Sequence, residues 1–229
     1  MFCDFHIHTN FSDGVLPLRE VIDLFGRNRF DAISITDHIL DKKTFANRRD
    51  NNCSIEAITE KDFPDYLKAL QKEKKRAWQK YKMLVIPGVE ITNDWGKYHI
   101  LAIDIKKYID PCLPVENAIK QIHNQGGIAI ACHPHHKTSE GKEGKQLSAR
   151  LWDEHKKYVN LFDAWEVANR DDLFNVIGLK KFNYIANSDF HQPWHLYSWK
   201  TLLKSAKNVE AIKTTISQNK KVAIYLYRR

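Results

Sequence analysis

Short apolar runs recur along the chain, and most carry a histidine, aspartate or glutamate near their C-terminal end. The runs are CDFHIHT, FDAISITDH, MLVIPGVEIT, KYHILAIDI, GIAIACHP, FDAWEVAN, YIANSDFH and VAIYLYR. Between them, helical periodicity covers 16–29, 65–81, 115–125, 148–158 and 209–218. Strands that alternate with helices build βαβ units and a mainly parallel sheet. The class is therefore α/β, and 229 residues suffice for one domain of this kind. Gly126-Gly127 marks a helix stop before the next strand. There is no internal repeat, low-complexity segment or linker. The polar stretches 40–60 and 137–145 read as loops over one end of the fold.

In DFHIHTNFSDG, strand alternation puts Asp4, His6 and His8 on one face and Cys3, Phe5 and Ile7 on the other. Taken alone, the polar face fits either a half-exposed edge strand or two imidazoles presented to a metal ion. The rest of the chain decides between them. His6 and His8, Asp37 and His38, Glu90, His133, Glu166, and Asp189 with His191 all stand at the C-terminal ends of strands. That is the end at which α/β barrels assemble active sites from several strands. His99 stands near the start of its strand, but the short turn NDWGK suggests an antiparallel hairpin that returns it to the level of Glu90. Solvated histidines have no reason to gather at strand ends, so the set reads as one site. His123 reads as a partly solvated helix residue and His155 as an exposed one. For His135, His136 and His195, surface, substrate-facing and metal-binding roles stay open.

The formal charge of +8 and the pI of about 9.2 favour anionic partners such as phosphate esters or nucleic acid. Much of the excess lies in KEKKRAWQKYK, 72–82, which we read as a solvated helix face because no interleaved aromatic platform accompanies it. The absence of a long apolar run argues against a membrane span. The opening lacks the sections of a signal peptide. Cys3, Cys53, Cys112 and Cys132 are scattered, with no C-x-x-C pair. A cytoplasmic protein is the expectation.

The ordered motifs HIHT…SDG, ITDH, PGVEI, YHIL, CHPH and NSDFH resemble those of the PHP superfamily, named after polymerase and histidinol phosphatase. The motifs spread over 3–191, within a PHP unit of 1–229 that ends in a helix–strand segment, 205–229. The resemblance implies a distorted (β/α)7 barrel, TIM-barrel-like and of one domain, holding two or three divalent ions of zinc, manganese or iron. It implies that His6, His8, Glu90 and Asp189 ligate the first metal. Glu90 then bridges to a second metal held by His99 and His133, and Asp13, His38 and His191 ligate a third. Asp37 is expected to orient a histidine, and we group it with Glu90 and Asp189 as the catalytic carboxylates.

The implied activity is hydrolysis of phosphate esters, most simply a small phosphomonoester or nucleotide. The attack would come in line from metal-bound hydroxide, between metals about 3.5–4 Å apart. Mixed nitrogen and oxygen ligands admit zinc, manganese and iron alike. Cys132 reads as a buried strand residue rather than a nucleophile. Arg170, His135 and Lys137 are the candidate substrate contacts, with Lys200 a further cation. Glu166 and Asn169 are expected behind the ligands or facing substrate, and Trp95, Trp194 and Trp199 at the rim or in the core. The alternatives are an exonuclease-like phosphodiesterase acting on nucleic acid ends, and a metal-binding module without catalysis.

Overall fold

The computed structural model describes residues 1–50, 56–94, 97–134, 149–170 and 172–228. The chain runs β1 (Phe2–Asp4), α1 (Leu18–Arg27), β2 (Ala32–Ile35), β3 (His38–Leu40), α2 (Lys42–Asp50), α3 (Phe63–Tyr81), β4 (Leu84–Asn93) and β5 (Tyr98–Ile103). It continues through α4 (Val115–Asn124), β6 (Ile128–Ala131), α5 (Ala149–Asp153), α6 (His155–Tyr158), β7 (Ala164–Asn169) and β8 (Asp172–Leu173). The last elements are α7 (Asn175–Leu179), β9 (Tyr184–Asn187), β10 (Trp199–Leu203), α8 (Val209–Ser217) and β11 (Val222–Leu226).

Periodicity explains the long elements. α1 buries Leu18, Val21, Ile22 and Phe25, and α4 buries Val115, Ala118, Ile119 and Ile122, each an i, i+3, i+4, i+7 stripe. β2 and β6 are buried at every position, as strands covered on both faces must be. α4 ends at Asn124 and the chain turns through Gly126 at φ +79°, where glycine carries no Cβ penalty. The helix expected over 148–158 is divided at Glu154 into α5 and α6.

The strands form one mixed sheet, ordered β11-β10-β1-β2-β4-β5-β6-β7-β8, with β3 beside β4 and β9 beside β7. β1/β2, β2/β4, β6/β7 and β7/β9 are parallel, whereas β4/β5 and β5/β6 are antiparallel. The sheet curls until the region after β9 meets the region after β1 at a parallel bridge, Ile7 to Phe190. There the His8 amide donates to the Phe190 carbonyl (2.8 Å) and the Phe190 amide to the His6 carbonyl (3.0 Å). The architecture is thus an α/β fold around a curled mixed sheet. Among the described residues no helix is long and apolar enough to cross a membrane.

Three strands were not anticipated: β3, β8 and β10. The stretch 40–60, expected as a loop, holds α2, and its residues 51–55 lie outside the described residues, as does the loop 137–145.

Candidate metal centre

The strand that opens the chain is shorter than the motif it introduces. β1 ends at Asp4, yet the alternation runs on to His8. Cys3, Phe5 and Ile7 are fully buried among apolar side chains, and Asp4, His6 and His8 are fully buried opposite them. The half-exposed edge strand is therefore excluded. The Ser-Asp-Gly segment folds back on the same strand end, with Ser12 N and Gly14 N both donating to Thr9 O (3.1 and 3.0 Å). Asp37 holds this turn, accepting from Thr9 N (2.7 Å), Thr9 Oγ1 (2.8 Å) and Ser12 Oγ (2.7 Å). Ser12 Oγ in turn lies 3.4 Å from His8 Nδ1. Through Ser12, Asp37 is thus linked to the His8 ring. It stands behind the turn and is not among the described residues that line the cavity.

Glu90, on β4, is the hub. Its Oε2 lies 3.0 Å from His6 Nε2, 3.1 Å from His8 Nε2 and 3.5 Å from His38 Nδ1. Its Oε1 lies 2.5 Å from His99 Nδ1 and 3.4 Å from His133 Nε2. The hairpin makes this convergence. β4 and β5 pair antiparallel with Thr92 opposite His99, so His99 does return to the level of Glu90. Burial alone would raise the Glu90 carboxyl, but His38, His6 and His99 outweigh it and hold Glu90 well below the usual carboxylate range. Burial lowers the His38 imidazole to about 4, against the pull of Asp13 and Glu90.

Among the described residues, three groups of side chains present potential ligand atoms lying within 4.8 Å of one another: His6, His8, Glu90 and Asp189; His38, Glu90 and His99; and His8, Asp13, His38 and His191. The first coincides with the four residues expected together. The second includes His38 and leaves His133 at its margin; the third adds His8. Asp13 lies 3.2 Å from His191 Nε2 through Oδ1 and 3.4 Å from His38 Nε2 through Oδ2.

The donor set suits divalent metals. His8 Nε2, His99 Nε2 and Asp189 Oδ1 are buried and make no aligned hydrogen bond. His8 Nε2 is nonetheless within 3.5 Å of Asp189 Oδ1, a close approach without hydrogen-bond geometry. Buried polar atoms left this way are costly unless a ligand takes them up. Imidazoles converging with carboxylates form the mixed nitrogen–oxygen set that zinc, manganese and iron accept.

Several supporting residues carry no motif of their own. Glu166 Oε1 lies 2.9 Å from His6 Nδ1 and accepts from Asn187 Nδ2 (2.8 Å), while its Oε2 accepts from His133 N (2.7 Å) and Asn169 Nδ2 (2.9 Å). Thr92 Oγ1 lies 2.9 Å from His38 Nδ1. Its signal in the sequence is its place two residues beyond Glu90, on the same face of β4. Arg48 on α2 places Nη2 3.3 Å from His38 Nε2 and Nη1 3.4 Å from Asp13 Oδ2. Nothing in its polar surroundings announced it.

A cavity of about 300 Å³ opens over these groups, and both Arg48 and Arg170 line it. Arg170 Nη2 contacts Asp189 Oδ2 at 3.0 Å and His191 Nδ1 at 3.1 Å. Lys200 is elsewhere. It is fully buried, with Nζ 3.1 Å from Asp4 Oδ2 and 2.8 Å from Ser198 Oγ, so it is not a phosphate contact. Cys132 is buried, which pushes its thiol well up and keeps it un-ionised, as a strand residue should be. Trp194 is exposed and Trp199 packs on the core. His135, Lys137 and Trp95 lie outside the described residues.

The PHP domain family model matches residues 4–219. An uncharacterized protein of Methanocaldococcus jannaschii is 27% identical over 192 residues, which make up 79% of this chain and 91% of that one. A two-domain protein of Bacteroides vulgatus, containing a predicted PHP-like metal-dependent phosphoesterase, superposes with a TM-score of 0.67 at 21% identity. The match covers 99% of this chain and 65% of that one, so the chain spans less than two thirds of that protein. PsfC of Pseudomonas syringae superposes with a TM-score of 0.58 at 14% identity, covering 98% of this chain and 91% of that one. At such identities the two structures are likenesses of fold.

Proposed function

The chain belongs to the PHP domain family, and from that premise we propose that it is a metal-dependent phosphoesterase acting on a small phosphomonoester or nucleotide. The observation that carries this reading is the convergence of five imidazoles on the single buried carboxylate of Glu90. A carboxylate with both oxygens so surrounded is suited to serve two cations at once.

In this reading His6, His8, Glu90 and Asp189 hold one ion. Glu90 shares a second with His99 and His133, and Asp13, His38 and His191 hold a third. Divalent cations bound there would neutralise phosphate oxygens and bring the pKa of water to roughly 7. The chain's own residues do the positioning. Glu166 fixes His6, Asp37 fixes the turn that carries Asp13, and Arg170 holds the outer oxygen of Asp189. Zinc, manganese and iron all suit the donor set. The cavity, about 300 Å³, is of a size that accommodates a small ester.

We take residues 1–229 as one PHP unit with 205–229 as its closing helix–strand segment. Strands β1, β2, β4, β5, β6, β7 and β9 make its distorted (β/α)7 ring. We take the setting as cytoplasmic; among the described residues Cys3, Cys112 and Cys132 carry no disulfide. The test is a phosphorylated-metabolite screen with manganese, iron and zinc supplied in turn. Metal-dependent release of phosphate from at least one small monoester is expected. No turnover with any metal would overturn the reading.

A further inference from the structure

We infer that the outer face of α3 is a docking surface for single-stranded nucleic acid, with a stripe of lysines for the backbone and Trp78 for a base. The inference stands apart from the phosphoesterase reading, because no residue of α3 is among the described residues that line the metal cavity.

Packing fixes which face of α3 looks outward. Phe63, Tyr66, Leu70, Glu73 and Ala77 are buried and recur every three or four residues, so they seat the helix on the barrel. The opposite face carries Lys68, Lys72 and Lys75 on successive turns, and Lys82 at the left-handed residue that ends the helix. All four are exposed, and none has an ion-pair partner among the described residues. At 1.5 Å per residue the stripe from Lys68 to Lys82 is about 21 Å long.

The fold leaves this charge uncompensated. Glu73 is the single carboxylate between Lys68 and Lys82, and it lies on the buried side with Arg76 Nε at 2.5 Å. Arg76 and Lys80 turn sideways to Asp23 of α1, at 2.6 and 3.4 Å. Like charges three and four residues apart destabilise a helix, so the stripe opposes the fold that carries it. A polyanion laid along it reverses that sign and releases its own counterions.

In sequence this run offers no aromatic platform, but the fold supplies one. Trp78 is 43% exposed beside Lys75, and Lys82 Nζ stands 5.8 Å from its ring centroid. An exposed indole next to a cation stacks on a base while the ammonium meets the adjoining phosphate. This combination favours an unpaired strand. A duplex hides its base faces, and an anionic lipid surface would meet the lysines but give Trp78 nothing to stack on.

The experiment uses the full chain and fluorescence anisotropy with end-labelled dT and rU strands of about twelve nucleotides, their integrity checked on a gel. The variants are Lys72→Glu with Lys75→Glu, Trp78→Ala, and Lys180→Glu with Lys181→Glu as a charge-matched control at exposed positions off α3. Each is checked for cooperative unfolding. The wild type should bind at about 50 mM salt, with affinity falling steeply as salt rises. The Lys72 and Lys75 double variant should bind roughly tenfold more weakly, or worse, with a flatter salt dependence. Trp78→Ala should bind roughly threefold to tenfold more weakly, and the control within about twofold of wild type. Binding to either strand upholds the inference, and the tighter of the two identifies the sugar. No binding to either strand, an equal loss in the control, unchanged affinity in Trp78→Ala, or a tighter hold on a duplex of the same length would each overturn it. Tighter lysine-dependent binding to phosphatidylserine vesicles would also overturn it and assign the face to a membrane surface. Each of these failures leaves the phosphoesterase reading untouched.

Discussion

Glu166 and His6 meet through the ring nitrogen that faces away from Glu90: Glu166 Oε1 lies 2.9 Å from His6 Nδ1, and Glu90 Oε2 lies 3.0 Å from His6 Nε2. A carboxylate behind a ligating histidine fixes its tautomer and raises its basicity. Glu166→Gln keeps the shape and removes the charge. Its metal affinity should fall roughly 10–100-fold, measured by competition with a chelator, while the fold persists. Unchanged affinity would show that His6 is oriented by packing alone.

Beneath the centre, Asp4 and Lys200 form an ion pair with both side chains fully buried. Asp4 Oδ1 also accepts from Ser188 N (3.1 Å), which ties β1 to the segment carrying Asp189. Burial lowers the Lys200 ammonium despite Asp4. Removing one partner strands the other charge, so Lys200→Met or Asp4→Asn should each cost ~3–5 kcal/mol in denaturant unfolding. The double variant should recover a large part of that loss. Additive losses would mean that the two residues act independently.

Gly14 answers why the opening motif ends in Ser-Asp-Gly. A Cβ there would stand 2.5 Å from the His8 carbonyl oxygen and 2.7 Å from Thr9 N. The backbones touch, so Gly14→Ala must displace the turn that carries Asp13. We expect a loss of about 1–3 kcal/mol and weaker binding of the metal proposed at Asp13, His38 and His191. Wild-type metal stoichiometry and stability in this variant would contradict the close-approach argument.

Far from the centre, Asp23 on α1 accepts from Arg76 Nη1 (2.6 Å) and Tyr81 OH (2.7 Å), both on α3. Partial burial opposes ionisation, but these two bonds prevail and the carboxyl is held at about 2, below its ordinary 3.8. A depressed folded-state pKa stabilises above the unfolded value and is lost as pH falls through the folded one. Asp23→Asn should therefore cost about 1 kcal/mol at pH 6. The difference from wild type should shrink as pH falls from 3.8 towards 2. A pH-independent difference would assign the effect to packing.

The convergence of these histidines and carboxylates was legible because strand period and strand ends are local properties. His6, His8, Glu90, Asp189 and His191 each follow an apolar run, and the hairpin that returns His99 was readable from the turn before it. What escaped depends on distant partners or on weak local pattern. Arg48 was hidden because KKTFANRRD is so polar that α2 shows no apolar stripe. Lys200 looked like an available cation because its burial is set by Asp4, remote in sequence and joined to it only when β1 pairs with β10. Asp37 follows its strand as the clustered residues do, but its carboxylate is taken up by the hydroxyls of Thr9 and Ser12 and does not line the cavity.

The central claim is that Glu90 serves two metal ions in a phosphate-hydrolysing centre. The most direct measurement is metal content by elemental analysis, paired with phosphomonoester hydrolysis, for the wild type and Glu90→Ala purified without chelator. The wild type should carry at least two transition-metal ions per chain and lose activity with them. Glu90→Ala should lose more metal than His99→Ala or Asp189→Ala, and turnover should fall by orders of magnitude while the fold persists. A wild type without metal or metal-activated hydrolysis, or a Glu90→Ala protein with near-normal metal content and turnover, would contradict the account.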